Sequence, residues 1–137
     1  MPFEKLLQTS APPPAWLTLP EAPPRIPASM PIRSVCRIVR QMVSELIMLL
    51  GDRIVLRRDR RRHACHVRQI AMYVCHVALR ISMSDIGAAL GRDRSTVSHA
   101  CHVVEDRRDD AAFDDFVGAV ERLVTAAFGL SEVPAYE

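Results

Sequence analysis

The sequence predicts an all-α fold, a helical bundle that carries a helix-turn-helix, and three observations lead there. Apolar residues recur at three- and four-residue intervals through most of the chain beyond residue 31, which is the period of an amphipathic helix. No stretch alternates with the two-residue rhythm of a credible strand, and no internal repeat is present. One segment, Met83 to His102, sets glycines and apolar side chains at the spacing of two helices joined by a tight turn.

The elements follow in order. Residues 11–31 hold eight of the ten prolines (Pro12, Pro13, Pro14, Pro20, Pro23, Pro24, Pro27, Pro31), which remove backbone donors, so residues 1–31 read as a disordered proline-rich leader. Pro31 suits the first turn of a helix, and Val35, Ile38, Val39, Met42, Val43, Leu46, Ile47 and Leu50 then form one stripe until Gly51, a helix over about 32–50. A second helix, entered through an arginine-rich loop, carries Val67, Ile70, Ala71, Tyr73, Val74, Val77, Ala78 and Ile81. Ser82-Met83-Ser84-Asp85 has the S-x-x-D form of a capped helix start, and that helix stops near Leu90-Gly91. Another helix is predicted from about Arg94 to Arg107. In the last, Phe113, Phe116, Val117, Val120, Leu123, Val124, Ala127 and Phe128 share a face. The domain is therefore expected over 32–130, with 131–137 as a tail.

Composition narrows the function. A chain of 137 residues allows one core, and its longest wholly apolar stretches, such as Leu46 to Leu50, fall far below the roughly 18 residues that span a bilayer. The start of the chain has neither the basic-then-apolar pattern of a secretory signal nor that of a transit peptide, so a cytoplasmic location is expected, with the four cysteines as reduced thiols. Net charge is +2 overall but uneven: residues 1–50 carry +2, 51–102 carry +6 and 103–137 carry −6. Of the 18 basic residues 17 are arginine, and five fall within Arg57-Arg58-Asp59-Arg60-Arg61-Arg62, a run that needs either solvent or a polyanion.

Within the helix-turn-helix, Gly87 would let the second helix approach, Gly91 would take the positive φ of the turn, and Ile86, Leu90 and Val97 would wedge the helices together. The run Arg68-Gln69-Ile70-Ala71-Met72-Tyr73, then Ile86-Gly87, then Gly91-Arg92-Asp93-Arg94-Ser95-Thr96-Val97-Ser98-His99-Ala100, resembles the C-terminal DNA-binding domain of the bacterial replication initiator DnaA over about residues 32–128. The resemblance implies a helical domain that binds double-stranded DNA at DnaA boxes, with the helix-turn-helix in the major groove and an arginine of the basic loop in the minor groove. By motif, Asp93, Arg94, Ser95, Thr96 and His99 correspond to base-reading positions, and the loop arginine is Arg60, with Arg61 or Arg62 as substitutes. Arg61, Arg62, Arg68, Gln69, Ser84 and Arg92 are the expected phosphate contacts. Two departures stand out. The family usually has Gly-Gly before the Arg-Asp pair, whereas Leu90-Gly91-Arg92 has a single glycine and one residue fewer there, and Arg94 replaces a histidine with a longer, permanently charged fork suited to guanine. No G-x-x-x-x-G-K-[ST] phosphate loop is present, so a stand-alone relative of one domain is expected, without ATP-driven assembly.

Several residues admit a second reading. Asp93 could cap the recognition helix rather than read a base, Ser95 and Thr96 are common in any first helical turn, and His99 could belong to the core. Cys65-His66, Cys75-His76 and Cys101-His102 suggest zinc, but adjacent helical residues point about 100° apart and the separations match no finger or ribbon, so neither metal nor cofactor is expected. No nucleophile and base form a recognised motif, so no enzyme activity is expected either. Trp16, flanked by prolines in the leader, could dock a partner. The expected function is sequence-specific DNA binding that regulates replication initiation or transcription. The alternative is a regulator that binds the initiator or its partners with little DNA contact.

Overall fold

In a computed structural model, residues 25–50 and 60–129 are described, and the side chains of residues 60–62 lie outside that description. The described residues form helices α1 (Ile32–Leu50), α2 (Arg60–Val77), α3 (Met83–Leu90), α4 (Arg94–Arg107) and α5 (Ala111–Phe128), with no strand among them. Residues 1–24, 51–59 and 130–137 fall outside, and with them the expected leader as far as Pro24, the Trp16 docking reading, the Gly51 stop, Arg57, Arg58 and the tail.

Helix α2 is the axis of the bundle. Every residue from Ile70 to His76 is buried, because α2 is covered by α1 on one side, by α4 on another and by α5 on a third. A helix whose centre is apolar all round can only be an interior helix. Its one buried polar side chain there, His76, is satisfied locally: Nδ1–H donates to the Ile81 carbonyl at 2.9 Å. Helix α1 contributes the stripe Val35, Cys36, Val39, Val43 and Ile47 and packs on α2 and α3. Helix α5 closes the bundle with Phe113, Phe116, Val117, Val120, Val124 and Phe128, and Asp110 caps it by accepting from the Phe113 N–H at 3.3 Å.

The structure corrects the expected elements in four places. Arg60, Arg61 and Arg62 belong to the first turn of α2 rather than to a connecting loop. Helix α2 stops at Val77 and does not continue to Ile81. Arg80 turns the chain with φ 59, the left-handed region that costs a side-chain-bearing residue roughly 1–2 kcal/mol, and this reversal carries Ile81 into the core. Ile38, Leu123 and Ala127, expected on buried faces, are exposed. Finally, packing begins before Ile32: the Arg25 N–H donates to the Leu79 carbonyl at 2.7 Å, and Ile26 and Met30 lie against the core.

Candidate nucleic-acid interface

The pair α3–α4 is built by local rules. Ser82 has extended backbone angles and its Oγ accepts from the Asp85 N–H at 3.2 Å, fixing where α3 starts. Nine residues after Ser82, Gly91 adopts φ 67 and ψ 37, the left-handed conformation that ends a helix, and the Gly91 and Arg92 N–H groups both donate to the Gly87 carbonyl. Gly87 is needed for a different reason. A Cβ there would stand 2.6 Å from the Arg92 carbonyl oxygen, so the turn can fold over α3 only where no side chain exists. The close approach is thus to the turn backbone just before the second helix.

Helix α4 then buries Val97, Ala100, Cys101 and Val104 against α2 and α3. That burial decides which side chains face out. Arg94 and Ser95 in the first turn and His99 one turn later are exposed, Thr96 is half-buried, and Arg92 and Asp93 are exposed in the turn. His99 is therefore not a core residue. Asp93 occupies the N-cap position, where its carbonyl accepts from the Thr96 and Val97 N–H groups, but its carboxylate makes no capping bond. The side-chain capping role weighed for Asp93 is absent. Ser84 is exposed at the start of α3, whereas Arg68 and Gln69 lie half-buried along α2. Arg68 Nη2 approaches Cys65 Sγ at 3.9 Å, and its buried Nε has no hydrogen-bond partner among the described residues. Six of the predicted residues, Arg92, Asp93, Arg94, Ser95, Thr96 and His99, thus sit on one turn and the two helical turns that follow it. Arg68, Gln69 and Ser84 come from other helices.

At its far end α4 is tied down by residues that the sequence did not single out for this role. Tyr73 of α2 donates to Glu105 at 2.6 Å. Arg108, just past α4, donates through Nη1 to Glu121 at 2.6 Å and to the Tyr73 hydroxyl at 3.1 Å, and through Nε to Asp114 at 2.6 Å. Arg107 donates to His66 Nδ1 at 3.0 Å and lies 4.4 Å over the Phe113 ring. Burial, reinforced by the bond to Glu105, pushes the Tyr73 phenol above its ordinary range. For Arg108 burial opposes the charge, but Asp114, Tyr73 and Glu121 outweigh it and hold the guanidinium charged. The available signal was Tyr73 itself, since a phenol on a buried helix face requires a polar partner.

The three Cys-His pairs diverge, with Cys75 and His76 both buried and Cys101 buried beside an exposed His102. Among the described residues no three His, Cys, Asp or Glu side chains come together as a metal site, and all four cysteines are free thiols. No helix of the described residues is long and apolar enough to cross a membrane.

A tight α3–turn–α4 unit with an outward polar first turn, braced by a central helix, defines a helix-turn-helix domain. Residues 37–104 match the bacterial DnaA protein helix-turn-helix family, which the α3–turn–α4 unit resembles. Among curated relatives, the chromosomal replication initiator protein DnaA of Lachnoclostridium phytofermentans is 43% identical over 61 residues, covering 43% of this chain and 14% of the relative. The DnaA of Flavobacterium psychrophilum is 33% identical over 87 residues, covering 61% of this chain and 18% of the relative. The chain therefore spans less than a fifth of the length of either. No solved structure matches it significantly.

Proposed function

We propose that the chain binds double-stranded DNA in a sequence-specific manner at DnaA-box-like sites, and that it regulates replication initiation or transcription through that binding. The observation that carries this reading is the outward face of α4. Its apolar residues are spent on the core, while Arg94, Ser95 and His99 remain exposed on its first turns and the Asp93 carboxylate is not used as a cap. A helix with its N-terminal polar residues presented in this way fits the major groove, where Arg94 would take guanine O6 and N7 as a bidentate fork, Asp93 a cytosine or adenine amino group, and the Thr96 methyl a thymine methyl. Phosphate contacts are assigned to Arg61, Arg62, Arg68, Gln69, Ser84 and Arg92, and the minor groove to Arg60. The relatives' name, chromosomal replication initiator, supports the link to initiation.

Selection from random double-stranded DNA with the native chain and with Arg94→Ala and Arg94→His tests the reading. A defined site should emerge. Arg94→Ala should lose about 1–3 kcal/mol of discrimination at one base pair, and Arg94→His should shift the preferred base there. Failure to enrich any sequence with the native chain overturns the proposal and leaves the initiator-binding alternative. Equal weakening on all sequences would move Arg94 from base to phosphate.

A further inference from the structure

A row of arginine lies on α1, outside the contacts assigned so far. Arg33, Arg37 and Arg40 are spaced by four and then three residues, which sets them within about 60° of one another around the helix and along about 10 Å of its length. All three are exposed, and among the described residues none makes an ion pair or a side-chain hydrogen bond. The one acid of α1, Glu45, accepts from Gln41 at 2.9 Å and lies roughly a third of a turn away from the row.

Nothing in the helix asks for these charges. Arg33 falls in the first turn, at the positive end of the helix dipole, and no acid shares that turn. Arg33 and Arg37, four residues apart, repel each other along the helix surface, and Arg40 adds to the repulsion. A polyanion laid along the row relieves it. The position of the row is equally specific. Ile32 and Arg33 share a small groove of about 220 Å³ with Asp85, Ala88 and Ala89 of α3, so the row begins beside the first helix of the helix-turn-helix. Asp85 serves the N-terminus of α3 and forms no ion pair with Arg33. The adjoining Ser84 is exposed at that same end of α3, where it is already assigned to phosphate.

From this we infer that Arg33, Arg37 and Arg40 of α1 hold the sugar–phosphate backbone of duplex DNA flanking the sequence that α4 reads. The inference rests on the DNA-binding reading above and deepens it, because it divides the work between two surfaces. The turn and α4 choose the sequence, while the α1 row lengthens the footprint and adds affinity without regard to base. Three exposed guanidinium groups in line, continuous with the phosphate-binding end of α3, suit the repeating charge of a nucleic-acid backbone.

The test compares the full native chain with a variant carrying Arg33→Gln, Arg37→Gln and Arg40→Gln on two duplexes, the selected sequence alone and the same sequence with a further helical turn of arbitrary sequence at each end. The native chain should bind the longer duplex about tenfold more tightly, with a salt slope steeper by about two to three units, close to one for each phosphate held. The glutamine variant should lose that difference, keep its affinity for the short duplex within about twofold and select the same sequence. Each single glutamine variant should lower the slope on the longer duplex by about one unit, which keeps the test open if the triple variant folds poorly. Equal loss on both duplexes, no loss on either, or a native chain indifferent to flank length overturns the inference. If sedimentation shows that the native chain self-associates, that the glutamine variant does not, and that the flank effect disappears with self-association, the row serves the exposed acids Asp106, Asp109 and Asp110 of a second copy and the inference fails. Failure of the native chain to select any sequence would remove the sequence-specific reading instead. The salt slope on a long arbitrary duplex then still decides the row: lowered by the glutamine changes it stands, unchanged it falls.

Discussion

Replacing Gly87 by alanine should damage this domain more than replacing either Gly91 or Gly118, and the reason is geometric. The new Cβ would meet the Arg92 carbonyl oxygen at 2.6 Å, while a carbon and a carbonyl oxygen rest about 3.3 Å apart, so the turn must retreat by about 0.7 Å. What it meets is backbone, and no side chain can swing aside. Overpacking of this kind costs about 1–3 kcal/mol, and the retreat also weakens the 2.8 Å bond from the Arg92 N–H to the Gly87 carbonyl, worth about 1 kcal/mol. Alanine's better helix propensity returns up to about 1 kcal/mol. The net loss is about 2–3 kcal/mol, which lowers the Tm of a domain of this size by about 10–20 °C. Gly91→Ala meets no atom within 4 Å but must hold φ 67, a loss of about 1–2 kcal/mol. Gly118→Ala meets the flexible end of Arg122 and touches Arg108 Nη2 only at 4.0 Å, so helix propensity should leave it neutral or slightly more stable. Thermal melts of the three variants by circular dichroism settle the order. A Gly87→Ala protein as stable as the native chain, or more stable than Gly91→Ala, would refute the view that the turn is seated against α3. DNA affinity, measured well below the melting range, should fall with Gly87→Ala as well, because the displaced turn leads directly into α4.

Three further outcomes are expected. Arg108→Met removes the donor shared by Asp114, Glu121 and Tyr73; with Arg108 and Glu121 each about a fifth exposed and Asp114 about half, urea denaturation should show a loss of about 2 kcal/mol, whereas a change below about 0.5 kcal/mol would mean the network carries no stability. Burial, then the nearby Glu105 carboxylate, pushes the Cys101 thiol up to about 12, and Tyr73 is raised too, so above pH 9–10 the unfolded chain sheds protons that the folded chain retains. Stability should then fall with rising pH by up to about 1.4 kcal/mol per pH unit for each group, and the hydrogen-bonded pair Cys36 and Cys75, in which Cys36 moves down and Cys75 moves up, does not reverse this; urea midpoints that stay level from pH 8 to 10.5 would contradict this. Replacing Arg60, Arg61 and Arg62 together by alanine should weaken binding to every DNA sequence and flatten its salt dependence by as much as about three units of slope, with an added loss on A/T-rich sites; an unchanged slope would assign that first turn of α2 to solvent.

Much of the helix-turn-helix could be read from residue types, because its geometry is set by near neighbours. Ser82 caps, Gly91 turns and the bounds of α4 follow from rules that act over three or four residues. Asp93 was ambiguous for the same reason: an acid before a helix can cap or face outward, and only the hydrogen bonds distinguish the two. Residues that meet across the bundle left weaker traces. Tyr73 and Glu105 are 32 positions apart and Arg108 and Glu121 are 13 apart, so no periodicity links them. Ile38 and Leu123 show the converse limit, since the apolar stripe written in a helix can be wider than the surface its neighbours cover. Arg80 gave no sign of its left-handed turn, because arginine carries none of the local preference that glycine or asparagine would announce.

Helix α4 is held at its C-terminal end by Glu105, Arg107 and Arg108, and along its length by Val97, Ala100, Cys101 and Val104, while the exposed residues of its first turns contribute little to holding it. The division resembles a tool with a fixed handle and an exchangeable tip. If Arg94, Ser95 and His99 read bases as proposed, mutation there changes recognition with little penalty in folding, and a gene copy carrying this scaffold can drift toward new targets through single viable steps. Changes at Tyr73 or Arg108 would instead cost stability first. Lineages descended from such a domain should therefore diverge at the tip long before the handle.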